Sequence, residues 1–165
     1  MPKAAARHSC KVIDSPVGPL TLVATDRGLS AILWKNDRKG RVRVTIDAED
    51  HAHPVLVLAE RQLTEYFAGR RKTFSIRLDV AGTTFQQKVW NALRTIPFGE
   101  TRTYGEIARQ IGHPAAVRAV GAANGRNPVA IVAPCHRVIG STGALTGFAG
   151  GLDAKARLLA LERGR

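Results

Sequence analysis

The stretch Asn127-Pro128-Val129-Ala130-Ile131-Val132-Ala133-Pro134-Cys135-His136-Arg137-Val138-Ile139-Gly140 decides how the rest of the chain is read. Asn-Pro is a turn signal. The apolar run Val129 to Ala133 has the length of a buried extended segment. Pro134 lacks an N–H and ends any ladder there. Cys135 and His136 stand just beyond that stop, with Arg137 next. The attacking form of cysteine is the thiolate, and a histidine base or positive charge beside it eases its formation. The competing reading is a buried cysteine that packs as a small hydrophobe.

Downstream, Gly140, Gly143, Gly147, Gly150 and Gly151 punctuate a loop. It lacks the lysine and spacing of a P-loop and reads as a flexible pocket wall. Asp153 is expected to cap a last helix, Ala154 to Arg163, that buries Leu158, Leu159 and Leu161. Glu162 then falls in its last turn, the wrong end of the helix dipole for an acid, a disfavour of up to ~1 kcal/mol. Local rules are most often broken at functional sites. A carboxylate that orients His136 is one reason to break this one; a solvated terminal residue is the other.

Upstream, Thr83 or Thr84 starts a helix that runs to about Arg94 and ends at Pro97 and Gly99. Two short helices follow, Tyr104 to Ile111 (capped by Thr103) and Ala115 to about Gly125, joined by Gly112-His113-Pro114. That pattern fits a helix-turn-helix. The second helix is smooth, with Ala116, Val117, Ala119, Val120, Ala122 and Ala123, and carries one long cation, Arg118. It could enter a groove of DNA, or the pair could pack internally with Arg118 solvated.

The N-terminal half reads as strand-like segments between turns, with strict alternation in Arg41–Ile46 that leaves one face wet and alternation again in Phe74–Val80. Met1 to Ser9 reads as a frayed tail. Cys10–Ile13, Leu20–Thr25, Leu29–Trp34, Arg41–Ile46 and Phe74–Val80 read as strands. His51 to Pro54 breaks the pattern, and Val55 to Phe67 has helical spacing with Gly69 placed to end it. The fold class expected is α+β, with a strand-rich domain over 1–82 and a mainly helical domain over 83–165.

The 165 residues carry a net charge of +12, which points to an acidic partner, nucleic acid first and an anionic membrane surface second. From Thr83 onward there are 11 Lys/Arg against 4 Asp/Glu, and before it 14 against 9, so the surplus is spread over both halves. No apolar run approaches the ~20 residues of a membrane span, and no apolar signal core follows the basic N-terminus. A cytoplasmic protein with no membrane association is expected, with Cys10 and Cys135 as free thiols.

Pro134-Cys135-His136-Arg137-Val138-Ile139 resembles the active-site signature of the O6-alkylguanine-DNA alkyltransferases of bacterial type, also called methylated-DNA–protein-cysteine methyltransferases. Arg118-Ala119-Val120-Gly121, Asn127-Pro128, Thr103-Tyr104-Gly105-Glu106-Ile107-Ala108 and Gly150-Gly151 match at the family's intervals. Ser15 to Leu22 and Tyr66-Phe67-Ala68-Gly69 resemble its N-terminal domain, so the resemblance covers nearly the whole chain. It implies a ribonuclease-H-like N-terminal domain and a monomer, able to cluster on double-stranded DNA, that repairs O6-alkylguanine and, as a further lesion, O4-alkylthymine.

By that resemblance Cys135 accepts the alkyl group in one irreversible turnover. His136 takes the thiol proton through a water, Glu162 orients His136, Tyr104 gives a proton to guanine N3, and Asn127 braces the turn. Arg118 fills the space left by a base flipped out through the minor groove. Thr103, Ala116, Val117, Ala119, Gly121, Ala122 and Arg126 contact DNA, and Val138, Gly147, Phe148, Ala149 and Gly150 form the base pocket. Phe148 stands where many relatives have tyrosine, and Ala149 where some have serine. No cofactor is implied. His8, Cys10, His51 and His53 make no set that matches the zinc site of some vertebrate relatives, so no metal is expected. A non-enzymatic DNA-damage sensor would lack the cysteine; a Cys-His-Glu thiol hydrolase would turn over.

Overall fold

The computed structural model describes residues 6–164. Strands β1 (Ser9–Ile13), β2 (Leu20–Thr25) and β3 (Gly28–Trp34) form an antiparallel meander. The two-residue β4 (Ala48–Glu49) adds to β1 in parallel, giving the order β3-β2-β1-β4. Helix α1 (Pro54–Phe67) packs on this sheet and buries Leu56, Ala59, Leu63 and Tyr66 at three- and four-residue spacing. His53 is its N-cap, accepting from the N–H of Val55, and Pro54 takes the first helical position, where no N–H is needed. The expected break at His51–Pro54 is therefore the start of the helix. Gly69, at φ +75°, ends it.

Three expectations for this half are corrected. Residues 1–5 of the expected tail lie outside the described residues, but Ser9 is buried and opens β1. Arg41–Ile46 is not a strand. Its strict alternation fits one, but the Arg41 guanidinium is drawn inward to Asp37 at 2.5 and 2.6 Å and to the carbonyls of Ile32 and Asn127. A planar five-donor fork that satisfies buried acceptors outweighs the modest β preference of the segment. Phe74–Val80 forms only a bridge, in which Leu29 donates to Arg77 O and accepts from Asp79 N. Ile76 is still buried.

The C-terminal half contains α2 (Thr84–Leu93), β5 (Arg102–Thr103), α3 (Tyr104–Gln110), α4 (Val117–Gly125), a single 3-10 turn (Cys135–Arg137), β6 (Val138–Ile139) and α5 (Leu152–Glu162). Thr83 with Gln86, and Thr103 with Glu106, form reciprocal capping boxes that fix where α2 and α3 begin. Helices α3 and α4 pack on each other and on α2, and Trp90 of α2 donates its indole N–H to Ala123 O of α4. Helix α5 starts at Leu152 with Gly151 as N-cap; Asp153 lies in its first turn, favourable for the dipole, rather than capping it. A β-branched or acidic side chain could not easily hold the φ of +90° at residue 151, which glycine adopts freely.

Two of the contacts that join the halves fix the cysteine segment against the sheet. Ile32 N donates to Pro128 O at 2.8 Å, which closes the outer edge of β3, and Arg41 reaches Asn127 O at 2.5 Å. The pair β5–β6 aligns Arg102 with Val138 and Thr103 with Ile139, which ties the start of α3 to the segment just after the cysteine.

Candidate active site

The run Val129–Ala133 is buried as expected but is not extended. Ile131 sits at φ +77° and turns the chain back, so that Ala133 N donates to Val129 O. Positive φ at a β-branched residue costs on the order of 1–3 kcal/mol and persists only where its surroundings impose it. Asn127 imposes it here. Its Oδ1 accepts from Val129 N and its Nδ2 donates to Ala133 O at 2.7 Å, so one buried amide clamps both ends of the loop. The loop delivers Cys135, His136 and Arg137 on the 3-10 turn, all three buried.

Glu162 arrives from the far end of α5 and is itself buried, 6 % exposed. It accepts five hydrogen bonds: from His136 Nε2 at 2.7 Å, Arg137 Nε at 2.8 Å, Arg137 Nη2 at 2.9 Å, Tyr66 Oη at 2.6 Å and Gly99 N at 3.3 Å. Burial works to raise the Glu162 pKa, but the bonds from His136 and Arg137 prevail and hold the carboxyl well below the usual carboxylate range. Burial pushes His136 down, against the pull of Glu162, so the ring is neutral near pH 7. A carboxylate only accepts, so Nε2 carries the proton and Nδ1 has the free lone pair. Nδ1 is buried and meets no hydrogen-bond partner among the described residues.

Burial also raises the Cys135 thiol; the Asn127 amide and the charges of Arg41 and Lys155 work against it. The resting sulfur is thus a thiol whose proton must be removed. Lys155, fully buried in α5, donates its ammonium to Val138 O at 2.7 Å and Thr146 O at 3.2 Å.

A cleft of about 850 Å³ opens nearby, bounded by Arg41; Cys135, His136 and Glu162 are not on its lining, and the ring of Phe148, which is, stands against His136. Tyr104, Gly121, Asn124 and the segment Gly147–Gly151 line it from the C-terminal half; Val17, Trp34, Lys35 and Arg38 line it from the other. Of the predicted pocket residues, Gly147, Phe148, Ala149 and Gly150 are on its wall. Val138 is not; its side chain is fully buried, and its carbonyl is held by Lys155. Phe148 stands edge-on to both Trp34 (5.3 Å) and His136 (6.5 Å), linking the cleft wall to the buried imidazole.

Gly150 is where the wall is tightest. A Cβ there would lie 2.5 Å from the Trp34 ring, which is pinned by its N–H to Val17 O. Gly150→Ala is expected to cost ~1–3 kcal/mol by overpacking and to lower the melting temperature by roughly 5 °C. A thermal melt like the wild type would show that this wall is loosely packed.

The predicted DNA-facing residues divide. Val117, Arg118, Ala119 and Ala122 are exposed on one face of α4, while Val120, Ala123 and Asn124 are buried on the other. Arg118 has no hydrogen-bond or ion-pair partner among the described residues. Ala116 is the N-cap of α4, and Gly121 faces the cleft near Tyr104. Thr103 spends its hydroxyl on capping α3, and Arg126 reaches back to Gly40 O at 3.4 Å.

Residues 9–80 match the ribonuclease-like domain, and residues 84–164 the DNA-binding domain, of the model for 6-O-methylguanine DNA methyltransferase. The chain belongs to the 6-O-methylguanine DNA methyltransferase family. It is 51% identical over 152 residues to a methylated-DNA–protein-cysteine methyltransferase of Methanosarcina acetivorans, covering 92% of this chain and 96% of that one. A protein of the same name from Mycolicibacterium paratuberculosis is 52% identical over 153 residues, covering 93% and 91%. The crystal structure of Mycobacterium tuberculosis OGT in complex with DNA superposes with a TM-score of 0.82 at 49% identity, covering 96% of this chain and 93% of that chain.

Within this member of the methyltransferase family, the sequence pattern left out three contributors, Tyr66, Arg41 and Lys155, and saw only part of the role of a fourth, Arg137. Tyr66, Arg137, Arg41 and Lys155 surround the Cys135–His136–Glu162 set, and each is buried. A buried charge is exceptional unless paired, but nothing in the local pattern marks these as buried. Tyr66 lies on the apolar stripe of α1 and reads as plain core, and Arg137 reads only as a charge beside the thiol. Among the described residues, no three His, Cys, Asp or Glu side chains gather as a metal site, and no helix is long and apolar enough to cross a membrane.

Proposed function

We propose that this chain repairs O6-alkylguanine in double-stranded DNA by moving the alkyl group onto Sγ of Cys135, one group per molecule. The observation that carries this reading is a buried cysteine next in chain to a buried imidazole whose Nδ1 meets no partner among the described residues and whose Nε2 is fixed by the Glu162 carboxylate. His136 Nδ1 takes the thiol proton through a water, and Glu162 stabilises the imidazolium. The thiolate displaces the alkyl carbon from O6, and Tyr104 on the cleft wall protonates the departing guanine at N3. The base reaches the cleft only after leaving the stack, at a cost of a few kcal/mol.

In this reading residues 1–82 and 83–165 are two domains, and the protein works as a monomer. Helix α4 lies in the minor groove with its alanine face toward the duplex, and Arg118 occupies the gap left by the flipped base. Binding leans on phosphate contacts, so affinity falls steeply with salt.

The reading is tested by counting. One protein molecule is expected to remove one alkyl group and then stop; repeated turnover on an ester or peptide would favour a thiol hydrolase. Arg118→Ala is expected to slow repair of duplex DNA by about a hundredfold, the scale of ~3 kcal/mol of unstacking left uncompensated, and to leave the reaction with free O6-benzylguanine near the wild-type rate. Equal slowing of both reactions would remove the role of Arg118 as a finger.

A further inference from the structure

The phenol of Tyr104 has one polar partner among the described residues, the hydroxyl of Thr146 in the glycine-rich loop. Thr146 in turn is fixed from behind. Its carbonyl accepts from the buried Lys155 ammonium at 3.2 Å, and the same ammonium holds Val138 O, two residues from His136. The loop is also closed on itself, with Gly140 N donating to Ala144 O at 2.9 Å. A side chain from one loop thus meets a cleft-lining phenol from the start of α3, on a mount shared with the cysteine segment.

We propose that Thr146 is a positioning residue for Tyr104, its hydroxyl donating to the phenolic oxygen so that the phenol's own proton is left for the base. This rests on the alkyl-transfer reading above. Either oxygen could act as donor in this pair. If the phenol donated, its proton would point into the loop and away from the cleft. If Thr146 donates, the phenolic proton is free, and the phenolate that forms on transfer is met by a hydrogen bond already in place.

The proton balance closes around this contact. As the S–C bond forms and the C–O6 bond breaks, the electron pair stays with guanine, and the phenolic proton moves to ring N3. The transient phenolate, held by the Thr146 O–H, recovers a proton from the imidazolium that had received the thiol proton. The thiol proton therefore ends on Tyr104 and the phenolic proton on guanine, a net transfer of one proton from Cys135 to the base, and no outside acid is needed. A β-branched side chain with few χ1 choices suits a fixed donor of this kind.

Four proteins test it: Thr146→Val, Thr146→Ser, Tyr104→Phe and the double variant Tyr104→Phe/Thr146→Val, each reacted with an oligonucleotide containing O6-methylguanine. Thr146→Val keeps the shape and removes the hydroxyl; it is expected to slow transfer about tenfold, the scale of one hydrogen bond. Thr146→Ser is expected to restore the rate to within about twofold. In the Tyr104→Phe background the valine is expected to cause no further loss, because the oxygen that Thr146 serves is already gone. Alkylation of Cys135 by iodoacetamide, which needs no proton donor, should be equal in wild type and Thr146→Val. The inference is overturned if Thr146→Val reacts at the wild-type rate, if it slows both backgrounds equally, or if it changes the iodoacetamide rate as much as the transfer rate. A wild-type protein that leaves Cys135 unmethylated would overturn the underlying reading instead.

Discussion

Cys135→Ser is expected to abolish alkyl transfer and keep DNA binding. The substitution changes one atom on a residue that is 5 % exposed, so the fold and the α4 surface are left in place. The chemistry does not survive it. A serine hydroxyl is far less acidic than a thiol, and its oxygen is a poorer nucleophile toward carbon. His136, held neutral by burial, is too weak a base to make an alkoxide. Loss of a nucleophile from a coupled set costs roughly 10⁵–10⁶-fold in rate. The check is paired: single-turnover transfer to the protein, and a gel-shift titration with the same methylated duplex. Residual transfer within a hundredfold of wild type would mean that another side chain takes the alkyl group.

Glu162→Gln is expected to damage stability and chemistry together. The carboxylate holds His136, two nitrogens of the Arg137 guanidinium and the Tyr66 phenol, all of them buried. A neutral amide leaves the Arg137 charge buried without a counter-ion and presents an NH₂ to groups that are donors. Breaking a buried pair from one side costs ~3–5 kcal/mol, a large share of a typical total of ~5–15 kcal/mol. The melting temperature should fall by on the order of 10 °C, and transfer should slow because His136 loses the group that sets its tautomer.

The same residue sets the response to acid. The folded-state pKa of Glu162 lies below its ordinary value of 4.5, so its contribution is complete above that value and is lost as pH falls below it. His136 is pushed below 6.5, so the unfolded chain binds a proton that the folded chain refuses, and stability also declines as pH falls through 6.5. Wild type should therefore lose stability in two stages on acidification. Glu162→Gln should lack the lower one, and melting temperatures across pH 3–8 for both proteins would show whether it does.

What the sequence made legible follows from how local each signal is. Thr83 and Thr103 announce α2 and α3 because their capping partners, Gln86 and Glu106, stand three residues on. The meander of β1 to β3 is written in short apolar runs set off by the turn residues Pro16, Gly18, Pro19 and Gly28. Glu162 could be singled out because it contradicts its own helix end. The failures share the opposite property. Arg41 reads as the wet face of a strand until Asn127, 86 residues away, supplies the carbonyl it satisfies. Ile131 is the exception: the Asn127 amide that imposes its positive φ is only four residues away and bonds Val129 N and Ala133 O, but a β-branched residue in an apolar run carries no turn signal. Tyr66 and Glu162 are 96 residues apart, and no periodicity joins them. The resemblance gives Val138 to the pocket through its backbone groups; in this fold its N–H donates to Cys135 O and its carbonyl accepts from Lys155.

The central claim is that Cys135 is the group that is alkylated and that it reacts once. Peptide-resolved mass spectrometry of the protein after incubation with excess O6-methylguanine duplex addresses it directly. The account predicts a gain of one methyl group, on the peptide containing Cys135, with Cys10 unmodified and the amount of repaired guanine equal to the amount of protein. Repair that continues beyond one equivalent, or a methyl group found on any other residue while Cys135 stays free, would contradict it.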